Sequence, residues 1–305
     1  MNWKFERIGE SFGDMLDGPI WDGDGLLFCK VAQSEILRYD AATGNISVFR
    51  PFSIRNSGLT IAPNGNLYGT QSGARRVVWY KRDGTTTLLS AHIAGMRHNH
   101  PHDLVADSKG RVWFSDVYSL IRTRGPQIFP PLDHCSVLRL DYDSQKREWN
   151  IKRMTFDTVE PRGLALSPDE QTLYVADTST TPQRPREIRA YPMDSDGTLS
   201  VPIVLHTFGA DYRGIHRGAW GMCTDIEGNL IVAAGSTQSG PGPMIYVFSP
   251  TGQVLETHVV PTNAPTNCTF GGGNMDTLFV TTDDGGLFQV KNTGRKGMKQ
   301  PARAA

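Results

Sequence analysis

The stretch Arg162-Gly163-Leu164-Ala165-Leu166-Ser167-Pro168-Asp169-Glu170-Gln171-Thr172-Leu173-Tyr174-Val175-Ala176 decides the fold. An apolar run of strand length, a Ser-Pro-Asp turn and a second β-rich run read together as a hairpin. The unit recurs five more times, opening at Asp17-Gly18-Pro19-Ile20-Trp21, Ser57-Gly58-Leu59-Thr60-Ile61, His102-Asp103-Leu104-Val105-Ala106, Trp220-Gly221-Met222-Cys223-Thr224 and Asn267-Cys268-Thr269-Phe270-Gly271. The openings are about 40 to 60 residues apart, a period of propeller blades or solenoids. Second strands follow in phase, as in Leu26-Leu27-Phe28-Cys29, Val112-Trp113-Phe114-Ser115 and Leu230-Ile231-Val232-Ala233. Third strands recur too, as in Ile36-Leu37-Arg38-Tyr39 and Val137-Leu138-Arg139-Leu140.

Four strands repeated six times predict an all-β, six-bladed β-propeller with four antiparallel strands per blade. The last unit lacks an outer strand, because Leu287-Phe288-Gln289-Val290 runs into a basic segment. Trp3-Lys4-Phe5-Glu6-Arg7-Ile8 is expected to supply it, closing the ring and removing two exposed edges. Residues 1–291 are read as a single propeller domain and 292–305 as a basic, disordered tail.

Composition narrows the partners. The 305 residues carry 31 Lys+Arg and 31 Asp+Glu, so there is no basic field for nucleic acid or an anionic membrane. No run approaches the roughly 20 apolar residues of a membrane span, and the first seven residues lack the apolar stretch of a signal peptide. A cytoplasmic protein acting on a small molecule, as monomer or homodimer, is expected. Cys29, Cys135, Cys223 and Cys268 are spread singly and are expected to be reduced and buried.

In a propeller the innermost strands line a central channel, so the residues opening them converge at one mouth. These are Asp17, Ser57, His102, Arg162, Trp220 and Asn267. All but Ser57 are large enough to ionise, stack or hydrogen-bond strongly, which suits a ligand site. A second convergent set follows the second strands: Lys30, Gln71, Asp116 with Tyr118, Asp177 with Thr178, Ser236 and Thr281. These either read a substrate or cap turns.

Several of these segments, together with Ile36-Leu37-Arg38-Tyr39-Asp40, Pro101-His102-Asp103-Leu104 and Thr266-Asn267-Cys268-Thr269-Phe270-Gly271-Gly272, resemble the senescence-marker-protein/gluconolactonase/luciferin-regenerating-enzyme-like family. The likeness covers almost the whole chain in order. It implies a six-bladed propeller that binds one divalent cation in its channel and hydrolyses lactones or related esters. Position by position the implied ligands change: the family's glutamate before Gly-Pro is Asp17, its asparagine before Gly-Leu is Arg162, and its aspartate before Gly-Met is Trp220. The substrate-contacting asparagine of its Pro-Asn-Asp motif is His102, followed by a matching Asp103. Asn99 and Asn267 match family asparagines to which no fixed role carries over.

Arginine and tryptophan offer a cation no lone pair. The expected chemistry is therefore lactone or small-ester hydrolysis without a metal, with His102 or Asp17 as base and Arg162 stabilising the oxyanion. Trp220, Asn267, Tyr118, Asp103, Asn99 and Ser57 are the candidate substrate contacts. Other readings stay open. Asp17 and Asp103 would merely close turns, or Asp17 and Arg162 would form a structural ion pair. His98, His100 and His102, alternating along a strand, would converge on a calcium or zinc ion near Asp17. The same pocket would suit an isomerase, cyclase or lyase, or a non-catalytic binding propeller.

Overall fold

A computed structural model describes residues 3–118, 130–179, 183–184, 186–301 and 303. Six four-stranded antiparallel sheets stand around one axis. We name the blades I to VI by their inner strands: Leu16–Trp21, Asn56–Ile61, His100–Ala106, Pro161–Leu166, Ala219–Thr224 and Pro265–Gly271. Within a blade each strand pairs with the next in sequence, so contacts within blades are local hairpins. Blade VI takes its outermost strand from the N-terminus, with Glu6 opposite Gln289 and Arg7 opposite Phe288. The expected closure is present.

Burial explains the composition of each layer. The inner strands of blades I and II are buried at every position, and the second strand of blade I holds Leu26, Leu27, Phe28 and Cys29 without exposure. Such strands have neighbours on both faces and read as continuous apolar runs. The outer strand Glu148–Arg153 instead alternates exposed and half-buried residues. Cores lie between adjacent blades: Trp21 of blade I stacks on Phe279 of blade VI at 5.7 Å, joining the two ends of the ring. Each fully buried side chain of this size stabilises the fold by about 1.5–3 kcal/mol.

The turns leaving the inner strands are capped by their own polar residues. Asp107 Oδ1 accepts the Arg111 N–H at 2.9 Å, and Asp225 Oδ1 accepts that of Asn229 at 2.8 Å. The only helix among the described residues is the single turn Ser72–Ala74. None is long and apolar enough to cross a membrane.

Two features bear on the ends of the chain and on its thiols. The basic segment after Val290 is held against the propeller over residues 293–297. Arg295 pairs with Asp225 at 2.9 Å and with Glu256 at 2.5 Å, and the Gly297 N–H donates to the Met275 carbonyl at 2.8 Å. Two carboxylates far away in sequence neutralise what reads locally as a solvated basic tail. All four cysteines are free, but only Cys29 and Cys268 are buried, while Cys135 and Cys223 are half-buried.

Candidate active site

A backbone device repeated six times creates the ring. At its level every inner strand slips register against its partner strand, as between Asp17 and Ile20, Pro161 and Leu164, and Ala219 and Met222. Such bulges re-aim side chains. In four blades a glycine follows the ring residue, because the next blade is too close for a Cβ. One added at Gly18 would strike the Ser57 carbonyl, and one at Gly163 the Trp220 carbonyl. Blade III carries Asp103 at this position. Its carboxylate accepts the Leu104 N–H at 2.9 Å and the blade IV Leu164 N–H at 3.0 Å, so it staples two blades.

Carboxylates closing the second strands hold the loops that lead into the ring. Asp116 accepts the Asn99 N–H at 2.8 Å, and Asp177 accepts that of Glu160 at 2.7 Å. Gln71 is held by Tyr80 and Arg76, and Thr281 by Thr266. These members of the second convergent set act on the scaffold.

The structure brings Asp17, His102, Arg162, Trp220 and Asn267 together. Asp17 forms the floor, 1% exposed, while the side chains of His102 and Arg162 are 13% and 12% exposed above it. Asp17 Oδ1 accepts its own Gly18 N–H at 2.8 Å. Its Oδ2 accepts from Trp220 Nε1 at 3.3 Å and stands 3.9 Å from His102 Nε2. The Asn267 amide also donates to this carboxylate. The His102 ring meets the Trp220 ring edge to face at 5.5 Å, and the Arg162 guanidinium lies 4.1 Å over the same indole. Arg162 reaches Glu160 at 3.5 Å and forms no ion pair with Asp17, so the cross-channel salt bridge is not made.

Burial sets the protonation states. Desolvation raises Asp17 to about 6, against hydrogen bonds from Gly18, Asn267 and Trp220 that favour its ionised form. Desolvation, and then the charges of Arg162 and Arg217, push His102 down to about 3. At neutral pH the site therefore holds a carboxylate and a neutral imidazole. Asp103 is raised to about 7 by burial and by the charge of Asp17.

Other candidates lie apart from this cluster. Ser57 donates to the His102 carbonyl at 2.7 Å, joining blades II and III. Asn99 binds the His134 carbonyl and the Leu132 N–H, both at 2.8 Å, latching a loop. Tyr118 is 44% exposed, and its backbone N–H donates to Cys135 Sγ at 3.1 Å. The three histidines do not converge: His98 is fully buried, with Nε2 on Ser90 Oγ at 2.8 Å and its ring against Phe114. Among the described residues no three His, Cys, Asp or Glu side chains form a group able to hold a metal.

Arg217 belongs to the cluster and escaped the sequence reading. Its guanidinium also lies 4.1 Å over the Trp220 ring. It enters from the loop three residues before Trp220, where no repeat aligns it with the other blades. Beneath the ring the channel opens into a cavity of about 390 Å3 of mixed lining, where Ile20, Leu59, Leu164 and Met222 stand beside Asp103, Asn267, Asp107 and Glu170.

Comparison with known proteins follows the same architecture. Residues 16–284 match the model of the SMP-30/Gluconolactonase/LRE-like region. The chain is 28% identical over 289 residues to a gluconolactonase of Zymomonas mobilis, covering 87% of this chain and 75% of that protein. It is 33% identical over 324 residues to human regucalcin, covering 96% and 93% respectively. A solved gluconolactonase structure from Xanthomonas campestris superposes with a TM-score of 0.78 at 27% identity, covering 95% of this chain and 89% of that one. With its ring closed by the N-terminal strand and this match spanning all six blades, the chain belongs to the SMP-30/gluconolactonase/LRE-like family.

Proposed function

We propose that this chain is a lactone hydrolase that works at the channel mouth through Asp17, His102 and Arg162 without a metal ion. The family membership and the gluconolactonases among its relatives support the reaction class. The carrying observation is a buried carboxylate raised to about 6 beside a guanidinium and a neutral imidazole.

Donor chemistry supports the metal-free reading. The cluster has one floor carboxylate, Asp17, and the Trp220 N–H already points at its Oδ2. Arg162 and Arg217 share that indole and present only donors and positive charge. A divalent cation would meet these groups in place of lone pairs. We derive no step through one.

In the reaction, Asp17 as carboxylate takes a proton from water, and the hydroxyl oxygen attacks the lactone carbonyl carbon. The carbonyl oxygen gathers negative charge against the Arg162 guanidinium. Collapse of the tetrahedral intermediate breaks the ring C–O bond, and the proton on Asp17 passes to the departing alkoxide, leaving a hydroxy acid. A pKa of about 6 suits this base better than the value of about 3 for His102, because proton transfer is most effective when the base is matched to the working pH. His102 Nε2, 3.9 Å from Asp17, positions the water, and Trp220 walls the site. One well-placed oxyanion donor contributes about 3–4 kcal/mol.

The test is base-titrated acid release from a panel of sugar and alkyl lactones, before and after excess EDTA. Turnover unchanged by chelator supports the proposal. Loss restored by calcium or zinc rejects the metal-free reading, and a product of unchanged mass rejects hydrolysis in favour of isomerisation or cyclisation.

A further inference from the structure

Arg217 has no part in the hydrolysis just described, yet it stands beside that site without a carboxylate partner. Its Nη1 donates to the Pro265 carbonyl at 2.7 Å and, at 3.4 Å, to that of Gly235. Its Nε and Nη2 have no hydrogen-bond partner among the described residues. Asp283 and Asp17 act on it only through their charges. Arg38, Arg111, Arg139, Arg189 and Arg295 each hold a carboxylate within 4.0 Å, whereas Arg217, like Arg50 and Arg153, bonds only neutral groups. A guanidinium partly removed from water without an ionic partner costs the fold stability. It persists where function uses it.

Two further observations give its direction. Arg162 Nε is buried without a partner, so the cluster has unused donors on two guanidinium groups. Both groups lie 4.1 Å from one indole, so their Cζ atoms are no more than twice that distance apart.

The geometry points to a substrate that is itself an anion: a lactone carrying a carboxylate or similar acidic group, bound by Arg217 against Trp220 while its ring carbonyl faces Arg162. This rests on the lactonase reading for the reaction, and on the unpaired guanidinium for the charge. Arg217 is then the specificity-determining residue. It supplies a charge-assisted hydrogen bond that a neutral lactone cannot use.

The experiment compares two γ-lactones of similar size, neutral gulono-γ-lactone and glucaro-γ-lactone, which keeps a free carboxylate. Acid release is measured with wild type, Arg217→Gln and the charge-conserving Arg217→Lys, each first shown to be folded by its melting temperature. The wild type should favour the anionic lactone in kcat/KM by about tenfold to hundredfold. Arg217→Gln should bring that ratio close to one, chiefly by raising KM for the anionic lactone, and Arg217→Lys should restore part of it. Equal use of both lactones by the wild type, or a ratio unmoved by Arg217→Gln, overturns the inference and leaves the lactonase reading standing. If neither lactone is opened, calorimetric titration separates the two ideas. Binding of glucaro-γ-lactone that depends on Arg217 supports the anion site while rejecting hydrolysis, and absence of binding rejects both.

Discussion

The two ends of the six inner strands come from one repeat and differ in how their charges are grouped. Where the strands begin, Asp17, His102, Arg162, Arg217 and Trp220 crowd together, and burial drives the carboxylate up and the imidazole down. Where they end, Ile20, Leu59, Leu164 and Met222 line a cavity of about 390 Å3 together with Asp107 and Glu170, and Met298 to Pro301 of the C-terminal segment lie across its wall. The strands between are the same apolar ladders. Packing is thus satisfied along the whole strand, while the starts hold charges whose burial costs stability. That contrast is the ground for proposing the starts as the working end, since desolvated charge is kept where chemistry needs it.

The comparison breaks or sharpens at five positions. Asp17→Asn should lower kcat by about 10²–10⁴-fold, the usual contribution of a positioned base. In the wild type, activity should fall as pH drops through about 6, where Asp17 takes up its proton. The same substitution should raise stability. A carboxyl whose folded pKa exceeds its unfolded value binds protons more tightly when folded, so its contribution declines as pH rises from about 4 to 6. At pH 7.5 the variant should melt higher than the wild type by an amount reflecting about 1–3 kcal/mol, and this gap should close below pH 4. A variant that melts lower at pH 7.5 would mean that the floor carboxylate stabilises the fold after all.

Arg162→Ala should cost about 10²–10³-fold in kcat, read by single-turnover acid release, whereas Met222→Leu at the other end should leave kcat within about threefold of the wild type. Equal losses would erase the distinction between the ends. Gly163→Ala, which sets a Cβ against the Trp220 carbonyl, should destabilise by about 2–4 kcal/mol in urea unfolding. If tolerated, it removes the close approach of blades IV and V as the reason for that glycine. The smallest effect is expected at Arg295→Ala, about 1 kcal/mol through the lost pairs with Asp225 and Glu256, with catalysis unchanged. A loss of activity there would tie the C-terminal segment to the opposite end of the channel.

Much of the ring was legible because bulge and repeat coincide. Asp17, His102, Arg162, Trp220 and Asn267 open aligned strands, and any closed six-fold array brings such positions together. Roles within the ring were not legible. A histidine carries an ordinary pKa near 6.5 in water, and only the surroundings of His102 push it down to about 3 while burial raises Asp17 to about 6. Ser57 and Asn99 carry the same polar groups as true ligands do, yet they bind the His102 carbonyl and the loop around Leu132. Arg217 lies in a loop of unequal length, outside any alignment of the repeats. The segment around Arg295 read as solvated because its two carboxylates come from blade V.

What the chain alone determined is its periodicity: apolar runs, Asp- and Gly-bearing turns, and a missing last strand are local patterns that survive without knowledge of distant neighbours. Only the tertiary structure decided which charges are desolvated together and which arginine lacks a partner. Electrostatic energy depends on distances and solvent exclusion between blades, and these exist only once the ring has closed.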